Sequence, residues 1–248
     1  MALDIASVRR ALPGRRIEYF ETVDTTMRVA AAVGQPGTIV VANEQTAGQG
    51  RHGHVWHSAP DEGLYVSIVL GRTMAACDLP PATLALGLAT AEAIARVTDL
   101  GCDLRWPNDV MLEERKAAGI LVQAGDAVVA GIGINANHAV FPETLAGEAT
   151  SLRLATGQEV SREELLFELI RASDAFLAML RVAGKRAIFD QFMRRSSYAR
   201  GRRVQVARGN EWTHGVTEGL DGAGFLVVRR DDGARETIYT GGVRALSA

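Results

Sequence analysis

Apolar and polar positions alternate through Arg16-Ile17-Glu18-Tyr19-Phe20-Glu21, which predicts a half-buried strand, because successive strand side chains point to opposite faces. A short helix, roughly Ile5 to Leu12, precedes it across Pro13-Gly14, and Asp24 or Thr25 can cap a helix reaching about Val33. The β-branched run Thr38 to Ala42 and the segment Leu64 to Val69 read as strands on either side of a polar, glycine-rich loop from Glu44 to His54. Pro80-Pro81 opens a helix to about Thr98, and Leu104 to Trp106 begins a strand that Pro107 interrupts. Gly119 to Gln123 and Val128 to Ile134 form a hairpin about Gly125-Asp126. Ser161 and Glu164 make a capping box, behind which Leu165, Leu169, Ala172, Phe176 and Leu180 recur at helical spacing as one apolar stripe.

Beyond Phe192 the pattern changes. Arg202 to Ala207, Trp212 to Glu218, Phe225 to Arg229 and Thr237 to Thr240 are short strands punctuated by the turn formers Gly209-Asn210, Asp221-Gly222 and Asp232-Gly233, the signature of a small β-barrel. The expected fold class is therefore α+β: a mixed, partly antiparallel sheet flanked by helices over residues 1–196, followed by a small C-terminal β-barrel over residues 197–248.

Composition narrows the function classes. Over 248 residues, 47% hydrophobic and 23% charged side chains describe an ordinary globular chain folded throughout. A formal net charge of −2 exerts no overall pull toward nucleic acid or an anionic membrane, so any phosphate chemistry must use local cations. Cys77 and Cys102 lie far apart with no C-x-x-C spacing, which argues against a disulfide framework or thiolate metal site; they read as inert core residues of a cytoplasmic protein. Met1 to Arg16 has no apolar stretch of signal-peptide length, and Ala82 to Val97 is interrupted by Glu92 and Arg96, so neither export nor membrane insertion is expected.

Gly48-Gln49-Gly50-Arg51-His52-Gly53 satisfies G-x-G-x-x-G, yet the residues after it run toward a strand, leaving no helix N-terminus to receive a pyrophosphate. What remains is a flexible loop whose backbone N–H groups and Arg51 can close around an anion. Farther on, Arg105-Trp106-Pro107-Asn108-Asp109 combines a rigid turn with a carboxylate. Lys116 then enters an apolar strand, a costly position for a charge without an anionic partner. His52, His54 and His57 fit H-x-H-x-x-H, but loop histidines without a nearby carboxylate or thiolate read as solvated or phosphate-facing, and no protein-held metal is expected.

Arg105-Trp-Pro-Asn-Asp, the Gly-Arg loop, Lys116-x-x-Gly-Ile-Leu and Gly131-Ile-Gly-Ile-Asn135 together closely resemble biotin protein ligases, in the same order and over essentially the whole chain. The resemblance implies a catalytic fold shared with lipoate ligases and related to class II aminoacyl-tRNA synthetases, followed by an SH3-like barrel. It implies that biotin and ATP, the latter with Mg2+, give biotinyl-adenylate and pyrophosphate, after which a lysine of a biotin carboxyl carrier protein displaces AMP. Thr25 and Thr26 fall where the family has a Ser-Thr pair near biotin, Gln45 matches a biotin-contacting glutamine, and Arg51 the arginine ordered by ligand. Lys116 matches the lysine bridging the biotin carboxylate and the adenylate phosphate. Gly48, Gly50, Gly53, Trp56 and Gly119 complete the expected biotin set, although Trp56 by itself reads as a core or interface aromatic. Trp106, Asn108 and Asn135 join Arg51 and Lys116 around the adenylate, and Asp109 either orients or deprotonates the incoming amine, or simply caps its turn. Met27 stands where some members have Asn, Gln49 where many have Arg, and His52 and His54 where Arg is frequent, so this loop is expected to neutralise phosphate less strongly.

The competing expectations are a lipoate or octanoate ligase and a non-catalytic biotin-binding regulator. A DNA-binding repressor is excluded, since about 15 residues before the first strand are too few for a helix-turn-helix domain. A homodimer through an exposed sheet edge is an open possibility.

Overall fold

Parallel pairing of the first two strands starts the main sheet, and among the described residues every other pairing between its strands is antiparallel. The computed structural model describes residues 3–208 and 211–246. After helix α1 (Ile5–Ala11), β1 (Ile17–Val23) pairs parallel with β2 (Ile39–Gln45) across helix α2 (Thr26–Val33). Five further strands complete the sheet: β3 (Leu64–Gly71), β4 (Asp103–Arg105), β5 (Asp109–Leu112), β6 (Arg115–Ala124) and β7 (Val128–Ile134), in spatial order β1-β2-β3-β7-β6-β5-β4. Helix α3 (Leu79–Thr98) and the long α5 (Arg162–Arg195) follow their sequence signals, whereas the short α4 (Leu152–Thr156) had none read for it. Pro80 and Pro81 stand in the first turn of α3, and the Ser161 side chain accepts the Glu164 N–H at the start of α5.

The period-2 alternation of the strands divides the sheet into two faces. Ile39, Val41, Val66, Ile68, Ala130 and Ile132 join the large core with α3 and α5, while Val40, Val69 and Val129 pack with Met27 and Ala30 of α2 on the other side. The predicted stripe on α5 is buried at Leu165, Leu169, Ala172 and Phe176, and Leu180 is only partly covered, where the helix approaches a break at Gly184. That break, at φ 78°, is not marked by a proline and was not anticipated. Cys102 is half-buried and its thiol pKa is raised by burial to about 12, but Cys77 is exposed, contrary to the expectation of two core cysteines.

The C-terminal strands form a second, antiparallel sheet: β8 (Arg200–Arg208), β9 (Glu211–Leu220), β10 (Leu226–Arg230), β11 (Arg235–Ile238) and β12 (Val243–Ala245), ordered β11-β10-β9-β8-β12. The last strand had no alternating signal of its own; it pairs with β8. Gly209-Asn210, expected as a turn, lies outside the described residues. This sheet is not an isolated appendage. Val204, Val206, Leu226, Val228 and Ile238 belong to the same apolar cluster as Leu84, Leu104 and Phe189, and the Trp106 indole donates to the Gly224 carbonyl at 3.0 Å.

Candidate active site

Glycine at alternating positions of two paired strands opens a cleft on the α2 face of the main sheet. Gly119 of β6 lies opposite Gly133 of β7, and Gly131 lies opposite Leu121. Side chains at these positions would project from one face, so three glycines leave a trough. Trp56 and Met27 fill part of it. A Cβ on Gly133 would meet the Trp56 indole at 2.4 Å, one on Gly119 would meet it at 2.9 Å, and one on Gly131 would meet Met27 Sδ at 2.8 Å. Thr25, Thr26, Met27, Gln45, Gln49, Gly50, Arg51, Trp56, Asn108, Lys116 and Gly119 line the cleft together with Leu121, Gly131 and Gly133.

One wall is held by a short relay of hydrogen bonds. Thr25 is the N-cap of α2, its hydroxyl accepting the Met27 N–H at 3.3 Å. The Thr26 backbone N–H donates to Gln45 Oε1 at 2.9 Å, and its hydroxyl lies 2.8 Å from Ser67 Oγ. Gln45 Nε2 in turn donates to Ser58 Oγ at 2.9 Å, and Ser58 Oγ donates to the Trp56 carbonyl at 3.0 Å. The helix start, the end of β2 and the exit of the glycine-rich loop are thereby tied to one another around a single amide.

The opposite wall carries the charge. Lys116 Nζ lies 2.6 Å from Asp109 Oδ1 and 5.2 Å from the centre of the Trp56 ring, a cation–π arrangement. Arg105 holds the other oxygen, with Nε and Nη2 at 3.1 and 2.8 Å from Asp109 Oδ2. Burial alone would raise the Asp109 carboxyl, but the charges of Lys116 and Arg105 and their hydrogen bonds prevail and hold it below the usual carboxylate range. The anionic partner that the sequence demanded for Lys116 is thus Asp109, itself gripped from behind by Arg105. The backbone of Lys116 is clamped as well: its N–H donates to the Glu148 carbonyl at 2.8 Å and its carbonyl accepts the Thr150 N–H at 3.0 Å.

The glycine-rich loop folds over this wall rather than standing open. Gly50 N–H donates to the His54 carbonyl at 2.7 Å, a 3-10 turn spans Arg51–Gly53, and Arg51 Nη1 donates to Asn108 Oδ1 at 3.2 Å. Burial lowers the pKa of the Arg51 guanidinium, with the negative charge of Asp109 opposing. His52 reaches the C-terminal sheet, its Nε2 lying 3.2 Å from Thr240 Oγ1, and burial followed by the nearby Arg51 and His54 lowers its pKa.

Not every residue anticipated from the sequence faces the cleft. Gly53 is exposed at φ 78°, serving the turn, and Gly48 is packed beneath the Trp56 carbonyl, where a Cβ would sit at 2.5 Å. Trp106 is buried against the C-terminal sheet, and its one polar atom is used by Gly224. Asn135 is buried with its amide donating to the carbonyls of Lys116 at 3.2 Å and Thr150 at 3.0 Å, so it supports the lysine from behind. Conversely, Gly131, Gly133 and Leu121 line the cleft without having been assigned to it. The signal was present as Gly-x-Gly within a strand paired to another glycine, readable only once the register is known. Among the described residues no Asp or Glu lines the cleft.

Residues 19–136 match the model of the Biotin/lipoate A/B protein ligase family and residues 200–243 that of the Biotin protein ligase C terminal domain, which places the chain in the biotin and lipoate ligase class. The biotin--[acetyl-CoA-carboxylase] ligase of Paracoccus denitrificans is 33% identical over 202 residues, 77% of this chain and 83% of that protein. The enzyme of the same name from Mycobacterium tuberculosis is 31% identical over 229 residues, 88% of this chain and 82% of that protein. The chain belongs to the biotin protein ligase family. A biotin protein ligase from Aquifex aeolicus in complex with biotin and ATP superposes with a TM-score of 0.84 at 28% identity, covering 94% of this chain and all of that one. Against the bifunctional ligase/repressor BirA of Bacillus spizizenii, at 32% identity, the match spans 52% of that protein's length.

Proposed function

We propose that this chain is an ATP-dependent biotin protein ligase that activates biotin as biotinyl-5'-AMP and transfers it to a lysine of a biotin carboxyl carrier protein. The observation that carries the reading is the pairing of a glycine-floored trough with two cations, Lys116 and Arg51, on one side of it. The trough takes the fused rings of biotin, with Thr25, Thr26 and Gln45 facing the polar ureido group and the apolar floor facing the thioether ring. In the first step a biotin carboxylate oxygen attacks the α-phosphorus of ATP and pyrophosphate leaves. Two anions must approach one another, so alignment and fixed positive charge supply most of the catalysis. Lys116 bridges the carboxylate and the α-phosphate, and Arg51 closes the glycine-rich loop over the product, excluding water from a mixed anhydride. Mg2+ enters as part of the ATP substrate.

In the second step a neutral lysine amine attacks the acyl carbon and AMP departs with the electron pair of the broken C–O bond. Asp109, kept ionised by two cations, is a weak base; its part is to fix Lys116 and orient the amine, whose proton passes to solvent. Residues 1–196 form the catalytic unit and 197–248 a supporting one, braced through Trp106 and Gly224.

The test is transfer of radiolabelled biotin to a carrier domain with ATP and Mg2+, with lipoate and octanoate as competing acids and ATP omitted as control. ATP-dependent label on the carrier lysine, undisplaced by lipoate, is the expected result. Displacement by lipoate or octanoate would reassign the acid, and biotin binding without ATP consumption would reduce the protein to a binding regulator.

A further inference from the structure

Away from the cations of the cleft, His138 is completely buried and neither ring nitrogen has a hydrogen-bond partner among the described residues. An imidazole stripped of water and left unpaired is costly. Its surroundings explain what would satisfy it. Phe141 stacks on one side at 5.0 Å with nearly parallel rings, His57 lies at 5.7 Å between ring centres, and Glu62 Oε2 is 3.8 Å from His138 Nε2. One donor atom from each of His57, Glu62 and His138 lies within 4.8 Å of the others.

We propose that His57, Glu62 and His138 form a binding site for a borderline transition-metal cation, Zn2+ in the first instance, distinct from the Mg2+ that accompanies ATP. Two imidazoles and one carboxylate suit Zn2+, with Co2+ and Ni2+ as chemical substitutes, whereas Mg2+ and Ca2+ require oxygen donors throughout. Tetrahedral ligation at about 2.0–2.1 Å places donor atoms roughly 3.3 Å apart, so the most separated of the three must draw together by up to about 1.5 Å. His57 and Glu62 are half-buried and His138 is buried, so that movement falls to the two half-buried side chains.

The position gives the site a purpose in the fold. His57 follows Trp56, the residue that fills the trough, and His138 follows Asn135, which braces the Lys116 carbonyl. The two connectors already touch, Asn137 N–H donating to the Glu62 carbonyl at 2.5 Å, and the Ser151 hydroxyl holds the His138 carbonyl at 2.6 Å. A metal would staple the exit of the glycine-rich loop to the exit of β7, fixing both sides of the cleft. Three protein donors leave a fourth position for water, and no chemical step is assigned to it.

The experiment uses the full chain, stripped with EDTA and dialysed, and titrated calorimetrically with ZnCl2 alone. One Zn2+ per chain is expected, with millimolar Mg2+ failing to compete and Co2+ giving the intense visible absorption of a tetrahedral centre. Glu62→Gln and His57→Gln, both at half-buried positions, should weaken Zn2+ binding at least about tenfold. Zn2+ should raise the Tm of the parent chain and not that of Glu62→Gln; His138→Gln is a third variant, interpreted only if its circular dichroism is native. No stoichiometric binding, unaltered affinity in both half-buried variants, or displacement by Mg2+ would each overturn the proposal. Because none of these readouts uses biotin or ATP, the result stands or falls separately from the ligase assignment.

Discussion

Lys116 is held in place before any substrate arrives: Asp109 fixes its ammonium, Glu148 and Thr150 fix its backbone, and the Trp56 face lies beneath it. Replacing it with alanine should lower the adenylation rate on the order of 10²-fold or more, as removal of a single charge-stabilising donor does, with pyrophosphate release as the measure. Near-normal release would remove Lys116 from the chemistry. Lys116→Arg should also be poor, since a planar fork cannot occupy the position of a compact charge. Asp109 makes a separate acid-side prediction. Its native pKa lies below the unfolded value, so its contribution to stability is complete above about pH 4 and is lost as pH falls through the depressed native value. Urea unfolding of the parent and of Asp109→Asn should therefore differ by a constant amount from pH 5 to 8 and converge below about pH 4. A gap that widens in acid would contradict the ion-pair account.

At the scale of elements, the cleft depends on paired strands that carry glycine where side chains would stand. Gly133→Ala places a methyl 2.4 Å from the Trp56 indole. The indole must move into the biotin trough or the strand must shift, costing about 1–3 kcal/mol of stability. Biotin affinity should fall in step, and a variant that binds biotin normally by calorimetry would show that Trp56 is free to yield elsewhere. The hairpin from β5 to β6 offers the reverse case. Its two turn residues, Glu113 and Glu114, have φ of 49° and 63°, a conformation that favours Asn and Gly over glutamate. Glu113→Asn should raise stability by up to about 1 kcal/mol in chemical denaturation, even though the exposed Arg115–Glu113 contact is lost.

For the whole molecule, the continuous apolar cluster running from α3 and α5 into the second sheet predicts how the protein unfolds. Calorimetry should show one cooperative transition for the full chain, because neither sheet can open without exposing the core of the other. Two resolved transitions would mean that the contacts through Leu84, Phe189 and Leu226 contribute little. The hydrogen bond from Trp106 to Gly224, together with the contact of His52 with Thr240, also links the C-terminal sheet to the wall and the loop of the cleft.

Local chemistry in the sequence determined a good deal: the caps at Thr25 and Ser161, the prolines opening α3, the hairpin of β6 and β7, and the stripe on α5 all follow from propensities that act within a few residues. Lys116 and Arg51 stood out by themselves, a charge entering an apolar strand and a cation in a glycine loop, whereas Gln45 and Thr26 were nominated only by the resemblance of the spaced motifs to biotin protein ligases. Tertiary structure alone decided the rest. That Gly119 faces Gly133, that Asp109 is gripped by Lys116 and Arg105, that Asn135 and Trp106 brace instead of lining the cleft, and that His57 meets Glu62 and His138 rather than His52 and His54 depends on strand register and chain crossing. Register is set by which faces can be buried together across the whole sheet, an energy shared among strands distant in sequence and carried by no single segment of it.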